Sequence, residues 1–162
     1  HPKRKAVKMI NTDSIDVKIL EVLQENARVS ISDLSKRVNL SLSAVSERLK
    51  KLEASGIILQ YTTILNPEIL NRQLSVIMMI SRENPSQPEE FLKFVHDNPD
   101  ILECDYIAGE YDYSIKVVTA NTVELEHIMN KIKGVSSIKR TQTNVVLRTI
   151  KQLHSIGPAA TK

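Results

Sequence analysis

The sequence predicts an α+β fold in two successive units, and three observations carry that prediction. Residues 13–58 contain three short helical patterns separated by tight connections. From Leu74 onward, strand-like and helix-like runs follow in the order β-α-β-β-α-β. Between the two lies Asn66-Pro67, a turn signal after a β-rich stretch. The expected boundaries are an arm over 1–12, a helical unit over 13–60, a linker over 61–73, a mixed unit over 74–151 and a tail over 152–162.

Asp13 reads as an N-cap, followed on one helical face by Ile15, Ile19, Leu20, Leu23 and Ala27, with the helix ending near Asn26. Ser32 reads as the cap of a shorter second helix with Leu34 and Val38 inward and Ile31 as a hydrophobic staple. Asn39 and Ser41 break that helix. Ser41 opens a third, with Val45, Leu49 and Leu52 inward and Gly56 at the position of a left-handed C-terminal cap. So short a link between the second and third helices forces a helix-turn-helix crossing. The run IILQYTTIL beyond Gly56 is rich in β-formers and predicts a wing or connector strand, completing a winged helix-turn-helix.

In the second unit, LSVIMMI, ILECDYIA, YSIKVVTA and SIKRTQTNVVLRTI read as strands. PEEFLKFVHDN and VELEHIMNKIK read as helices. This order specifies the split βαβ, ferredoxin-like arrangement: a four-stranded antiparallel sheet with both helices on one face. The other face is left open. VIMMI and VVL are apolar enough to need cover there, which predicts homodimerisation through the sheet.

Composition narrows the function classes. The chain has 162 residues and 41% apolar content, ordinary for a globular protein. Its single cysteine, Cys104, makes no internal disulfide and suits a reducing cytoplasm. No apolar run approaches the ~20 residues that span a bilayer, and no secretory signal opens the chain. Net charge carries no argument, because Lys3, Arg4, Lys5 and Lys8 crowd the start; without them +3 becomes −1. Those first eight residues are either an expression remnant or a native basic arm.

The third helix places Ser43, Glu47, Lys50 and Ala54 opposite its apolar face, with Ala44, Ser46 and Lys51 on the flanks. Small polar residues at the start and basic residues later suit a helix that reads double-stranded DNA in the major groove. Ser43, Ala44 and Glu47 are the candidates for base readout, with Ser46 beside them; Lys50 and Lys51 are the candidates for phosphate. Arg48 lies nearer the core flank, its guanidinium reaching the DNA backbone or a neighbouring carboxylate. Ser32 is a candidate phosphate contact as well as a cap. The plainer alternative is a solvated face in which Glu47 supports Lys51 at i,i+4.

Parts for enzyme chemistry are missing. Cys104 and Asp105 have no histidine near them in sequence, and His96, His127 and His154 are scattered. There is no H-E-x-x-H spacing and no Gly-rich phosphate loop, and Glu89, Glu90, Glu124 and Glu126 read as solvated helix positions. No metal site or cofactor is expected.

Three separated segments, SLSAVSERLKKLEASGII, AGEYDYSIKV and TQTNVVLRTIK, resemble the Lrp/AsnC family of feast/famine, amino-acid-responsive transcription regulators. The resemblance runs from about Ile10 to Lys151. It implies a DNA-binding unit joined to a sensing unit, dimers that assemble further, commonly to octamers, and an amino-acid effector bound where dimers meet. Carried over by position, it implies that Gly109, Glu110, Tyr111, Asp112 and Tyr113 form much of the effector pocket. Ile107 and Ala108 lead into it, and Thr141 and Thr143 line it. An effector ammonium then suits Asp112, and its carboxylate suits the backbone N–H groups near Gly109 and the threonine hydroxyls. The alternative for this segment is a structural hairpin turn, with Gly109 at positive φ, Asp112 capping the loop and both tyrosines packed on the sheet. Departures from the family pattern are Leu42, Glu47, Asn71-Arg72 and the absence of Leu-Pro before Gly134-Val135. They bear on DNA preference and effector identity, and an effector-independent architectural DNA-binding protein shares the same fold.

Overall fold

The computed structural model describes residues 11–83, 89–135 and 137–159. They divide into two compact units, one running to Thr63 and taking in the tail from Gln152, the other Ile64–Lys151.

The first unit holds α1 (Ser14–Glu25), α2 (Ile31–Val38) and α3 (Leu42–Ser55). Asp13 closes a capping box on α1: its carboxylate accepts from the N–H groups of Ile15 and Asp16 at 2.9 and 2.8 Å, and Asp16 accepts from Asp13 N–H at 3.2 Å. The core is Ile19, Leu20, Val22, Leu34, Val38, Val45 and Leu52. Val22, not Ala27, completes the α1 stripe, because α1 ends at Glu25 and leaves Ala27 exposed beyond it. The cap of α2 is Ser30, not Ser32. Ser30 Oγ accepts from Asp33 N–H at 3.0 Å and donates to the Asp33 carboxylate at 2.7 Å. Asn39, left-handed at φ 53°, then ends α2, and Gly56 ends α3 at φ 81°.

Residues 57–65 form no strand; a ladder needs a second strand alongside, and among the described residues none lies there. The predicted wing is therefore a connector without regular secondary structure, with Leu59 91% exposed. Tyr61 lies within it and donates its hydroxyl to Glu53 at 2.9 Å; burial, and then that carboxylate, push the phenol up to about 12. The described tail packs on this unit, with Gln24 Nε2 donating to the Ile156 carbonyl at 2.6 Å and Thr12 Oγ1 to that of Ala159 at 3.3 Å.

The second unit is β1 (Leu74–Arg82), α4 (Glu89–Asp97), β2 (Ile101–Tyr106), β3 (Tyr113–Thr119), α5 (Thr122–Lys133) and β4 (Ile138–Val145). The sheet is antiparallel in the order β2-β3-β1-β4, the ferredoxin-like topology. Strand alternation sends Val76, Met78 and Ile80 of β1 and their partners Val117, Ile115 and Tyr113 of β3 into one core with Phe91, Leu125, Ile128, Ile132 and Val135. Phe91 meets Tyr113 with ring centroids 4.9 Å apart.

The same alternation corrects the expected apolar open face. Of VIMMI only Ile77 and Met79 point away from this core. They are flanked by Lys116 and Ser114 on β3 and by Asn144 and Gln142 on β4. Val146 of VVL lies beside Ile77 on this face, so the open face carries a narrower apolar strip than expected, bordered by polar residues.

Candidate DNA-reading helix and effector site

At the start of α3, Ser41 Oγ accepts from Ala44 N–H at 3.2 Å and lies 3.1 Å from Ser43 Oγ. No acidic residue occupies the first turn, so the exposed amide end keeps its positive potential towards an approaching phosphate or base edge. Ser43, Glu47, Lys50 and Lys51 are exposed, and Ala44 and Ser46 are half-buried. Glu47 and Lys51 form an i,i+4 ion pair at 2.9 Å, and that hydrogen bond holds the Glu47 carboxyl below its ordinary value. Engaging DNA through either side chain therefore means exchanging this contact.

Arg48 is placed differently. Its Nη1 reaches Asp13 and Asp16, each at 2.7 Å, tying the middle of α3 to the N-terminus of α1. Those two carboxylates, Asp13 first, raise the guanidinium above its ordinary value. Arg48 thus sits with the framework of the unit. Ser32 is exposed in the first turn of α2, and its carbonyl accepts from Ser35 Oγ at 2.9 Å.

In the second unit the segment from Ile107 to Tyr113 joins β2 to β3. Ile107 N–H donates to the Asp112 carbonyl at 2.9 Å and closes the turn. Gly109 has φ 144°, a backbone region that side-chain-bearing residues avoid, and open space surrounds the position its Cβ would take. Asp112 is committed to β1: its N–H donates to the Ile80 carbonyl at 2.9 Å and its carboxylate accepts from Arg82 N–H at 2.7 Å.

Tyr111 is buried, and its hydroxyl donates to Gln142 Oε1 at 2.7 Å. Arg140 lies over its ring at 4.6 Å, donates from Nε to its hydroxyl at 3.1 Å, approaches the same hydroxyl through Nη2, and pairs through Nη2 with Glu110 at 2.6 Å. Tyr111 and then Glu110 raise the Arg140 guanidinium above its ordinary value. Thr141 and Thr143 are half-buried and stand opposite Ile80 and Met78 in register, so their side chains share the helix-covered face. Tyr113 lies on that face too, between Phe91 and Tyr106.

The structure thus brings Glu110 and Tyr111 together with Arg140 and Gln142, and leaves Thr141, Thr143 and Tyr113 on the other side of the sheet. Sequence reasoning missed Arg140 and Gln142. The signal was in R-T-Q-T, where a period of two separates residues 140 and 142 from the threonines between them.

A groove of about 810 Å³ between α4 and α5, lined in part by Phe94, Val123 and Ile128, includes none of the predicted effector residues. Burial, and then Asp105, push the Cys104 thiol up, which disfavours a nucleophilic thiolate. Among the described residues no group of three or more His, Cys, Asp or Glu side chains is arranged to hold a metal ion, and no helix is long and apolar enough to cross a membrane.

Comparison with known proteins agrees with both units. A winged helix-turn-helix DNA-binding model matches residues 12–58, and the Lrp/AsnC ligand binding domain matches residues 75–156. The chain is 38% identical over 143 residues to the leucine-responsive regulatory protein of Haemophilus influenzae, covering 86% of each chain. It is 35% identical to the proline dehydrogenase transcriptional activator of Rhizobium radiobacter, covering 86% of this chain and 92% of that one. A transcriptional regulator of Neisseria meningitidis, solved as its L-Met complex, superposes with a TM-score of 0.85 at 34% identity, over 90% of this chain and 96% of that one. With a DNA-reading helix-turn-helix followed by a ligand-binding sheet unit, this chain belongs to the Lrp/AsnC family of transcription regulators.

Proposed function

We propose that this regulator reads its operator with the exposed face of α3 and that an amino acid, bound at the turn from Ile107 to Tyr113, modulates its homo-oligomeric assembly and DNA binding. Ser43, Ala44 and Glu47 face the bases with Ser46 on the flank, Lys50 and Lys51 meet phosphates, and Ser32 supplies a further phosphate contact from α2. Arg48 acts on DNA through the tie it makes to α1. The effector shifts the assembly, a dimer building towards an octamer, and so changes the spacing of the recognition helices. Residence is on DNA in the cytoplasm, in keeping with the lone cysteine.

The observation that carries this reading is the pairing, in one chain, of a helix that exposes Ser43, Glu47, Lys50 and Lys51 and a sheet unit whose connecting turn presents charged and polar groups. The L-Met complex of the Neisseria relative supports an amino acid as the ligand class. One observation favours a second reading: Asp112 spends its carboxylate on a backbone N–H, as a purely structural turn does. That reading makes the chain an effector-independent architectural DNA-binding protein.

Thermal unfolding against each common amino acid at millimolar concentration separates the two. Ligand at about 100 times its dissociation constant adds ~2.7 kcal/mol, so the effector raises the midpoint selectively. No shift for any amino acid, with the purified site shown to be empty, favours the architectural reading.

A further inference from the structure

We propose that the groove between α4 and α5 is a second small-molecule site of this regulator, taking a carboxylate that has a branched or aromatic apolar body and no ammonium group. The groove lies apart from the 107–113 turn, none of whose residues line it, and its volume of about 810 Å³ is in the range that holds a small ligand. Its apolar surface comes from both helices: Phe94 on α4 is half-buried, Ile128 on α5 is buried, and Val123 is 73% exposed one turn before His127. An apolar body laid against Val123 and Phe94 removes that surface from water.

The charged groups around the groove are unequally engaged. Glu124 accepts from Ala120 N–H at 3.0 Å, and Asp100 is paired with Arg72. Asp97 lies 3.4 Å from His96, and Glu90 stands in the first turn of α4, where the amide end of the helix favours a carboxylate. Lys93, His127 and Lys131, by contrast, make no hydrogen bond or ion pair among the described residues. His127 and Lys131 are i,i+4 neighbours on α5, and Lys93 adjoins Phe94 on α4, so donors flank the apolar surface from both helices. Three nitrogen donors without acceptors specify an anion, and one carboxylate offers roughly four acceptor sites to them. An ammonium has no comparable seat, since it would have to draw Glu124 from a backbone N–H or Asp100 from Arg72. The groove therefore discriminates against an amino acid and in favour of a carboxylate without the amine.

The test titrates the full chain, by calorimetry and by NMR, with probes that share one branched body and differ in charge: 4-methylpentanoate, 4-methyl-2-oxopentanoate, leucine and 3-methylbutylamine. The methyl signals of Val123 and Ile128 and the ring protons of His127 report whether a probe sits in the groove. Both anions should move these signals and bind about tenfold or more tightly than the amine, while leucine leaves the signals in place. Whichever anion binds more tightly, the simple acid or the 2-oxo acid, names the closer ligand chemistry. K93Q and K131Q should each weaken the anions by about threefold or more, and the double variant by about tenfold, with unfolding midpoints unchanged because both lysines are exposed. Anion binding undiminished in the double variant overturns the proposal, as does leucine or the amine moving the groove signals as far as the anions do. Silence of the groove towards all four probes overturns it too; a change in oligomer size on sedimentation of the double variant would then give the groove to a second copy of the chain. Failure of the effector-site reading is distinguishable, because an amino acid bound at the 107–113 turn moves none of these signals.

Discussion

Replacing both Lys50 and Lys51 with alanine isolates the electrostatic part of DNA binding. Lys50 is exposed, and Lys51 is 74% exposed and held only by the solvated Glu47 contact, so neither supports the core. Stability should therefore change by no more than about 0.5 kcal/mol. If each lysine neutralises one phosphate, removing both lowers the slope of log affinity against log salt by about 1.8 per recognition helix. Raising salt from about 50 to about 200 mM then shrinks the wild-type advantage about twelvefold per helix. The assay is fluorescence anisotropy on a duplex obtained by selection from random sequence, titrated at several salt concentrations. A change near 0.9 would mean that Lys51 stays with Glu47 and only Lys50 meets phosphate. An unchanged slope and unchanged affinity in a folded variant would refute the orientation of α3 argued above.

Further expectations concern the framework of each unit. Ser30→Ala should cost about 1 kcal/mol in denaturant unfolding, whereas Ser32→Ala should stay within about 0.5 kcal/mol, because only Ser30 holds the Asp33 N–H. Asp13 has its carboxyl held below the usual range, first by Asp16 N–H and then by Arg48. A depressed carboxylate stabilises the fold above its unfolded pKa of about 3.9, and that contribution is lost as pH falls through the lower folded value. The stability gap between wild type and Asp13→Asn should therefore be present at neutral pH and close on acidification below about pH 4; a gap independent of pH would contradict this. Asp112→Ala leaves Arg82 N–H without its acceptor and should destabilise the sheet unit by about 1–2 kcal/mol, read from urea unfolding.

Both units were legible where local rules decide. Asp13 and Gly56 act as caps because their side-chain chemistry and backbone freedom act within one turn, and the βαββαβ order follows from periodicity alone. Misplacements came where the deciding partner is distant or where two local signals compete. Ser30 and Ser32 are both plausible caps; the acidic residue three positions after Ser30 settles the competition by closing a reciprocal contact. Residues 57–65 have the composition of a strand, but a strand is made by its neighbour. Asp112 meets Arg82 from thirty positions away, and nothing in G-E-Y-D-Y shows that bond. In R-T-Q-T the threonines drew attention, while the β pleat turned Arg140 and Gln142 towards Tyr111.

The central claim is that one chain couples sequence-selective DNA binding to an amino acid. The most direct measurement is the affinity of the full chain for its selected site and for random DNA of equal length, at one salt concentration, with and without each amino acid. The account predicts a preference for the selected site of about 10³ or more. It also predicts that one amino acid, or a few, shifts the affinity for that site by about 5–150-fold. Equal affinity for both duplexes, unmoved by any amino acid, would contradict it.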